Sequence, residues 1–130
     1  MNAKPIEITY DTKIINLGHQ PGHTHGKTKL LQEAGFTNVE GFLFTEHGKE
    51  NIKNLVKGQK DTLLLIGGAM MKSFPQDMAE ILNFIKTDCP EVFVYTTTAA
   101  DFPPDVTFPP SEEVVNQSAV TICKKLLKKV

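Results

Sequence analysis

The chain has 130 residues, 14 basic and 15 acidic side chains and a formal net charge of -1. That length suits one domain, 1–130, able to bury roughly two-thirds of its unfolded surface without a disulfide or metal staple. The charge balance excludes a global electrostatic drive toward nucleic acid or an anionic membrane. Every basic residue is Lys, so planar bidentate forks onto phosphate or guanine are excluded and only point-charge contacts remain. Two cysteines, Cys89 and Cys123, make no disulfide framework and read as buried small hydrophobes. No apolar run approaches bilayer length, and MNAKPIEITYD lacks a signal peptide's apolar stretch. A cytoplasmic protein is expected.

In chain order, residues 1–11 alternate Ile6, Ile8 and Tyr10, as an extra edge strand or an arm. Thr12–Leu17 predicts the first strand, ending at Gly18. The loop GHQPGHTHG follows, then a helix from about Thr24 to Ala34, with Gly35 as a left-handed stop and Phe36 folding back over it. Asn38–Thr45 predicts a second strand, and Glu50–Lys57 a short helix closed by Gly58. TLLLI, Thr62–Ile66, is apolar at all but its first position, as in a strand buried on both faces. Ser73-Phe-Pro-Gln76 has capping-box spacing. Behind it Met78, Ile81, Leu82 and Ile85 make the clearest amphipathic helix.

Glu91–Thr96 predicts a fourth strand. FPPDVTFPP, Phe102–Pro110, cannot be helical. Val106–Phe108 suits a short fifth strand. Ser111 then opens a last helix, with Glu112 and Glu113 at its positive end and Lys124, Lys125, Lys128 and Lys129 at its negative end. This alternation predicts a three-layer α/β domain, flavodoxin-like or Rossmann-like. Its mostly parallel sheet has about five strands, with helices on both faces. Ligands of such sheets sit beyond the carboxyl ends of the strands.

From about residue 12 onward the order of elements resembles a response-regulator receiver domain. Asp61 before an apolar strand, the amphipathic helix and then Pro90-Glu-Val-Phe-Val-Tyr-Thr-Thr resemble the family's third strand through fourth strand. Thr96 or Thr97 falls where the family keeps its switch hydroxyl. Phe108-Pro-Pro-Ser-Glu-Glu113 resembles its Lys-Pro segment and final helix. The family's chemistry is missing. Gly18 and His19 stand where an acidic pair holds magnesium, Ile66, Gly67 and Gly68 where the phosphoacceptor Asp belongs, and Phe108 or Pro109 where the switch Lys belongs. The resemblance therefore implies a receiver-like module that cannot carry an acyl-phosphate.

The segment Gly18–Thr28 follows a strand and opens a helix, the phosphate-binding position of α/β folds. Gly26-Lys27-Thr28 looks like the end of a P-loop, although Pro21 stands at the first glycine. Gly18, Gly22 and Gly26 resemble a dinucleotide turn with altered spacing, and Glu46 is placed to reach a ribose hydroxyl. Lys27 would meet phosphate, and His23 or His25 could exchange a proton. His19, His23, His25 and His47 would share one sheet edge, as candidate ligands for a divalent metal. Beside that stands a polar loop whose histidines meet only water and backbone. Gly67 and Gly68 could admit a ligand to the backbone, or merely turn the chain. Thr97 could offer a hydroxyl at the same edge.

The three functional expectations remain side by side. One is a receiver-like regulatory module acting through a protein partner or small ligand at the carboxyl edge of the sheet, without catalysis. Another is a Rossmann-like domain binding a nucleotide or phosphorylated metabolite at residues 18–28. The third is a histidine metal site. No cofactor is identified. Phe102 and Phe108, beside rigid prolines, are candidate partner-surface residues for a homodimer.

Overall fold

The computed structural model describes residues 7–67, 70, 73–96 and 119–127. Four strands and four helices alternate among them: β1 (Ile14–Gly18), α1 (Pro21–Glu33), β2 (Val39–Leu43), α2 (Phe44–Val56), β3 (Thr62–Ile66), α3 (Pro75–Asp88), β4 (Val92–Thr96) and α4 (Ala119–Leu126). The strands form one parallel sheet in the order β2-β1-β3-β4. Its register sets Asn16 beside Gly41 on one side and Leu65 on the other. The predicted α/β class and parallel sheet are found, with four strands where about five were expected. The segment Val106–Phe108 lies outside the described residues.

Both faces of the sheet are covered, which is why β1 and β3 are buried at every position. On one face Ile15, Leu17, Leu64, Ile66 and Val94 pack with α2 and α3. On the other Ile14, Leu63, Leu65 and Tyr95 pack with Leu31 of α1 and Ile122 and Cys123 of α4. Alternate residues of a strand point to opposite faces, so an apolar run serves both layers.

Helix α1 begins three residues before the predicted Thr24. Pro21, at its first position, has a φ preset for helix and no N–H to satisfy. The rest of α1 is poor helix material, with Gly22, Gly26, two threonines and two histidines near its start. Tertiary contacts hold it instead. Asn16, buried in β1, donates from Nδ2 to the Thr24 carbonyl at 3.0 Å and to Thr28 Oγ1 at 3.2 Å. Thr28 Oγ1 in turn donates to the Thr24 carbonyl at 2.9 Å. The helix approaches so closely that a Cβ at Gly18 would stand 2.1 Å from Thr24 Oγ1, and one at Gly41 2.6 Å from Thr28 Oγ1.

The end of α1 follows expectation: Gly35 has φ +108° and the Phe36 N–H donates to the Leu31 carbonyl. Other boundaries move. Strand β2 stops at Leu43 and passes into α2 without a loop, because Phe44 is buried there against Phe74. Gly48, at φ 74°, divides α2 into two helical pieces. The capping box at Ser73 does not form. Phe74 occupies the cap position with no side-chain hydrogen bond, because Pro75 starts the helix one residue later than that motif requires.

In the N-terminal segment Ile8 is buried and makes an isolated parallel bridge to Leu127, while Tyr10 packs on Phe36 and its carbonyl accepts from the Thr37 N–H. It adds no strand to the sheet among the described residues. Of the last helix, residues 119–126 are described, with Ala119 and Ile122 buried. No described helix is long and apolar enough to cross a membrane.

The close approach of α1 to the sheet yields a compensating pair. Gly41→Ala should cost about 1–3 kcal/mol, as overpacking does. Thr28→Ala in the same chain should recover part of that loss, because the clashing hydroxyl is gone. Urea denaturation of both single variants and the double variant checks it; strictly additive losses would contradict the packing described.

Candidate functional site

Strands β1 and β3 are neighbours, yet the chain leaves them for opposite sides of the sheet. Helix α1 follows β1 onto one face, and the helices around β3, α2 and α3, lie on the other. The carboxyl ends of β1 and β3 therefore flank a topological switch point, where open parallel sheets leave a crevice. A cleft of about 220 Å³ is found there. Strand β1 contributes Asn16, Leu17 and Gly18, and the turn after it His19 and Gln20. Helix α1 contributes His23, Thr24 and Lys27, and the chain beyond β3 contributes Gly67 and Met70.

Helical spacing explains this selection. Residues 20, 23, 24 and 27 share the side of α1 that faces the cleft, whereas Gly22, His25 and Gly26 are exposed on its other side. Nothing lies within 4 Å of a Cβ built at Gly22 or Gly26, so these two glycines cradle nothing. Gly26-Lys27-Thr28, with its P-loop look, lies inside the helix rather than in a loop before it. Thr28 faces Asn16. Glu46 is exposed in the first turn of α2 and does not line the cleft.

Lys27 is the one lysine among the described residues lining the cleft. It is partly buried, and burial pulls its pKa below the ordinary lysine value. Its Nζ lies 3.8 Å from where a Cβ of residue 67 would stand, so Gly67 keeps the space beside the ammonium open. Among the described residues lining the cleft there is no Asp or Glu. The first turn of α1 contains no acidic residue, and Gln20 makes no side-chain cap. The N–H groups of Gly22 and His23 therefore lack the capping partner that usually satisfies such donors.

The histidines separate. His19 lines the cleft with its ring edge-on to Phe74 at 5.6 Å, and His23 lines it from α1. His25 is exposed, and His47 stacks edge-on to Phe42 at 5.5 Å. Among the described residues no three His, Cys, Asp or Glu side chains gather to hold a metal ion. Gly68, Thr97, Phe102 and Phe108 lie outside the described residues. Sequence reasoning missed Asn16, Leu17, Gln20, Thr24 and Met70 as cleft residues. The one available signal was Asn16, a polar residue inside an otherwise apolar strand.

No family model, curated protein or solved structure matches this chain.

The two thiols stand apart from the cleft. Both are buried, and burial raises the pKa of each, Cys123 to about 12 and Cys89 in the same direction. Below the ordinary thiol value of about 9 both folded and unfolded chains keep the Cys123 proton. Between there and about 12 the unfolded chain releases it and the folded chain does not. Stability should therefore fall as pH rises through this window, and Cys123→Ala should flatten that slope in urea titrations. At pH 8 an aromatic disulfide reagent should leave both thiols unmodified until urea unfolds the chain.

Proposed function

We propose that this protein is a small binding module that takes an anionic, phosphate-bearing ligand at the carboxyl ends of β1 and β3. The observation that carries the reading is the composition of the cleft, whose described residues bring a partly buried ammonium, an uncapped helix start and no carboxylate. A helix N-terminus favours negative charge. An anion beside Lys27 would also offset the desolvation of its ammonium, a point-charge contact of the kind open to a chain without arginine. The role is binding rather than turnover.

A second reading, compatible with the first, is regulatory. The order β2-β1-β3-β4 is that of the first four strands of a flavodoxin-like sheet, the fold the receiver resemblance implies. A receiver-like module without carboxylates at that edge would hold no magnesium and carry no acyl-phosphate. Such a module would respond to ligand occupancy rather than to phosphorylation. A homodimer through Phe102 and Phe108 belongs to the same reading.

Thermal unfolding in orthophosphate, against sodium chloride of equal ionic strength, tests the binding. At a hundred times its dissociation constant the ligand should add about 2.7 kcal/mol of stability. Lys27→Met should abolish most of that gain while retaining the fold. An equal gain in wild type and Lys27→Met would assign the effect to general salt exclusion from the surface and sink the proposal.

A further inference from the structure

Asn16 has a polar atom that no described group uses. The residue is 1 % exposed, two positions inward from the end of β1, and it lines the cleft. Its Nδ2 is committed to α1 through the Thr24 carbonyl and Thr28 Oγ1. Those two acceptors fix the orientation of the amide, because a flipped carbonyl would face the Thr24 carbonyl. The opposite edge is Oδ1, and no described group donates to it. A buried amide oxygen without a donor is costly. It is also able to discriminate strongly, since a ligand that supplies the donor is favoured over one that does not.

Resting on the phosphate reading above, we infer that the ligand is a small hydroxylated phosphate monoester, not a nucleotide, with its phosphate at Lys27 and the α1 N-terminus and a hydroxyl donating to Asn16 Oδ1. Size supports this. At about 220 Å³ the cleft falls short of the roughly 300–1,000 Å³ that enclose larger ligands, so it would enclose a short hydroxylated ester while the base of a nucleotide would project beyond it. The chemistry is also matched in kind. Lys27 offers donors only and the helix start offers N–H groups, all suited to phosphate oxygens. Asn16 Oδ1 is an acceptor, suited to a neutral hydroxyl and ill suited to a second anionic oxygen.

Calorimetric titration of the full chain with orthophosphate, propyl phosphate, glycerol 3-phosphate and adenosine monophosphate tests the assignment. Glycerol 3-phosphate should bind roughly tenfold more tightly than propyl phosphate, which lacks the hydroxyls. Adenosine monophosphate should bind no better than orthophosphate. In Asn16→Ala the preference for glycerol 3-phosphate over propyl phosphate should collapse toward unity, whatever its absolute affinities. If that variant fails to fold, the ligand pair on the wild-type chain still decides. Equal affinities for the two esters, or tightest binding by adenosine monophosphate, would overturn this inference and leave the phosphate reading standing. No binding of any of the four would overturn both. Capture by phosphatidate vesicles without affinity for glycerol 3-phosphate would overturn the assignment to a soluble ester.

Discussion

The amide of Asn16 joins β1 to α1, and the placement of the cleft follows from that contact. Helix α1 has few apolar residues to bury. Leu31 is enclosed, but its neighbour Leu30 is exposed. A helix with so little apolar surface gains little from the hydrophobic effect. What fixes it is a short polar ladder of Asn16, Thr24 and Thr28, admitted by the missing side chains at Gly18 and Gly41. Once Thr24 and Thr28 are pinned against the sheet, their neighbours at 23 and 27 must face the space beyond β3. A structural contact thus aims the side chains that line the cleft.

The opposite face is built differently. There α2 and α3 bring Ile52, Val56, Met78, Ile81, Leu82 and Ile85 onto the sheet, a conventional apolar layer. At its rim Glu80 lies between Lys49 and Lys53, at 3.0 and 3.5 Å, across the two helices. Those charges are solvent-accessible, so they tune the pairing of α2 with α3 rather than create it. The cleft opens between the polar-pinned layer and the apolar one. Met70 and His19 with Phe74 come from the apolar side, Lys27 and His23 from the other.

Much of the architecture was legible in the residues. The TLLLI strand, apolar after its first residue, the stripe from Met78 to Ile85 and the glycines closing α1 and α2 all act as their chemistry predicts. Each is a local signal with a large effect. Boundaries set by nonlocal contacts were not legible. The stretch after Gly18 looks like a glycine- and histidine-rich loop because its helix propensity is low, yet Pro21 and contacts with β1 make it helical. That one shift moves Gly22, His25 and Gly26 away from the cleft and turns a sequence cluster into two faces. Asn16 went unnoticed because a single polar residue in a strand is informative only once its burial and partners are known.

Ile8 and Leu127 meet although nearly the whole described chain lies between them. A contact of such sequence separation carries a large loop-closure entropy unless the intervening elements have already assembled. The bridge, with the Ile8 N–H donating to the Leu126 carbonyl, therefore acts as a latch that closes late in folding. It holds α4 against the same layer that contains α1. Force applied to the chain before Ile8 would meet the Ile8–Leu126 bond first, and the bond from the Thr37 N–H to the Tyr10 carbonyl next, before it reached β1.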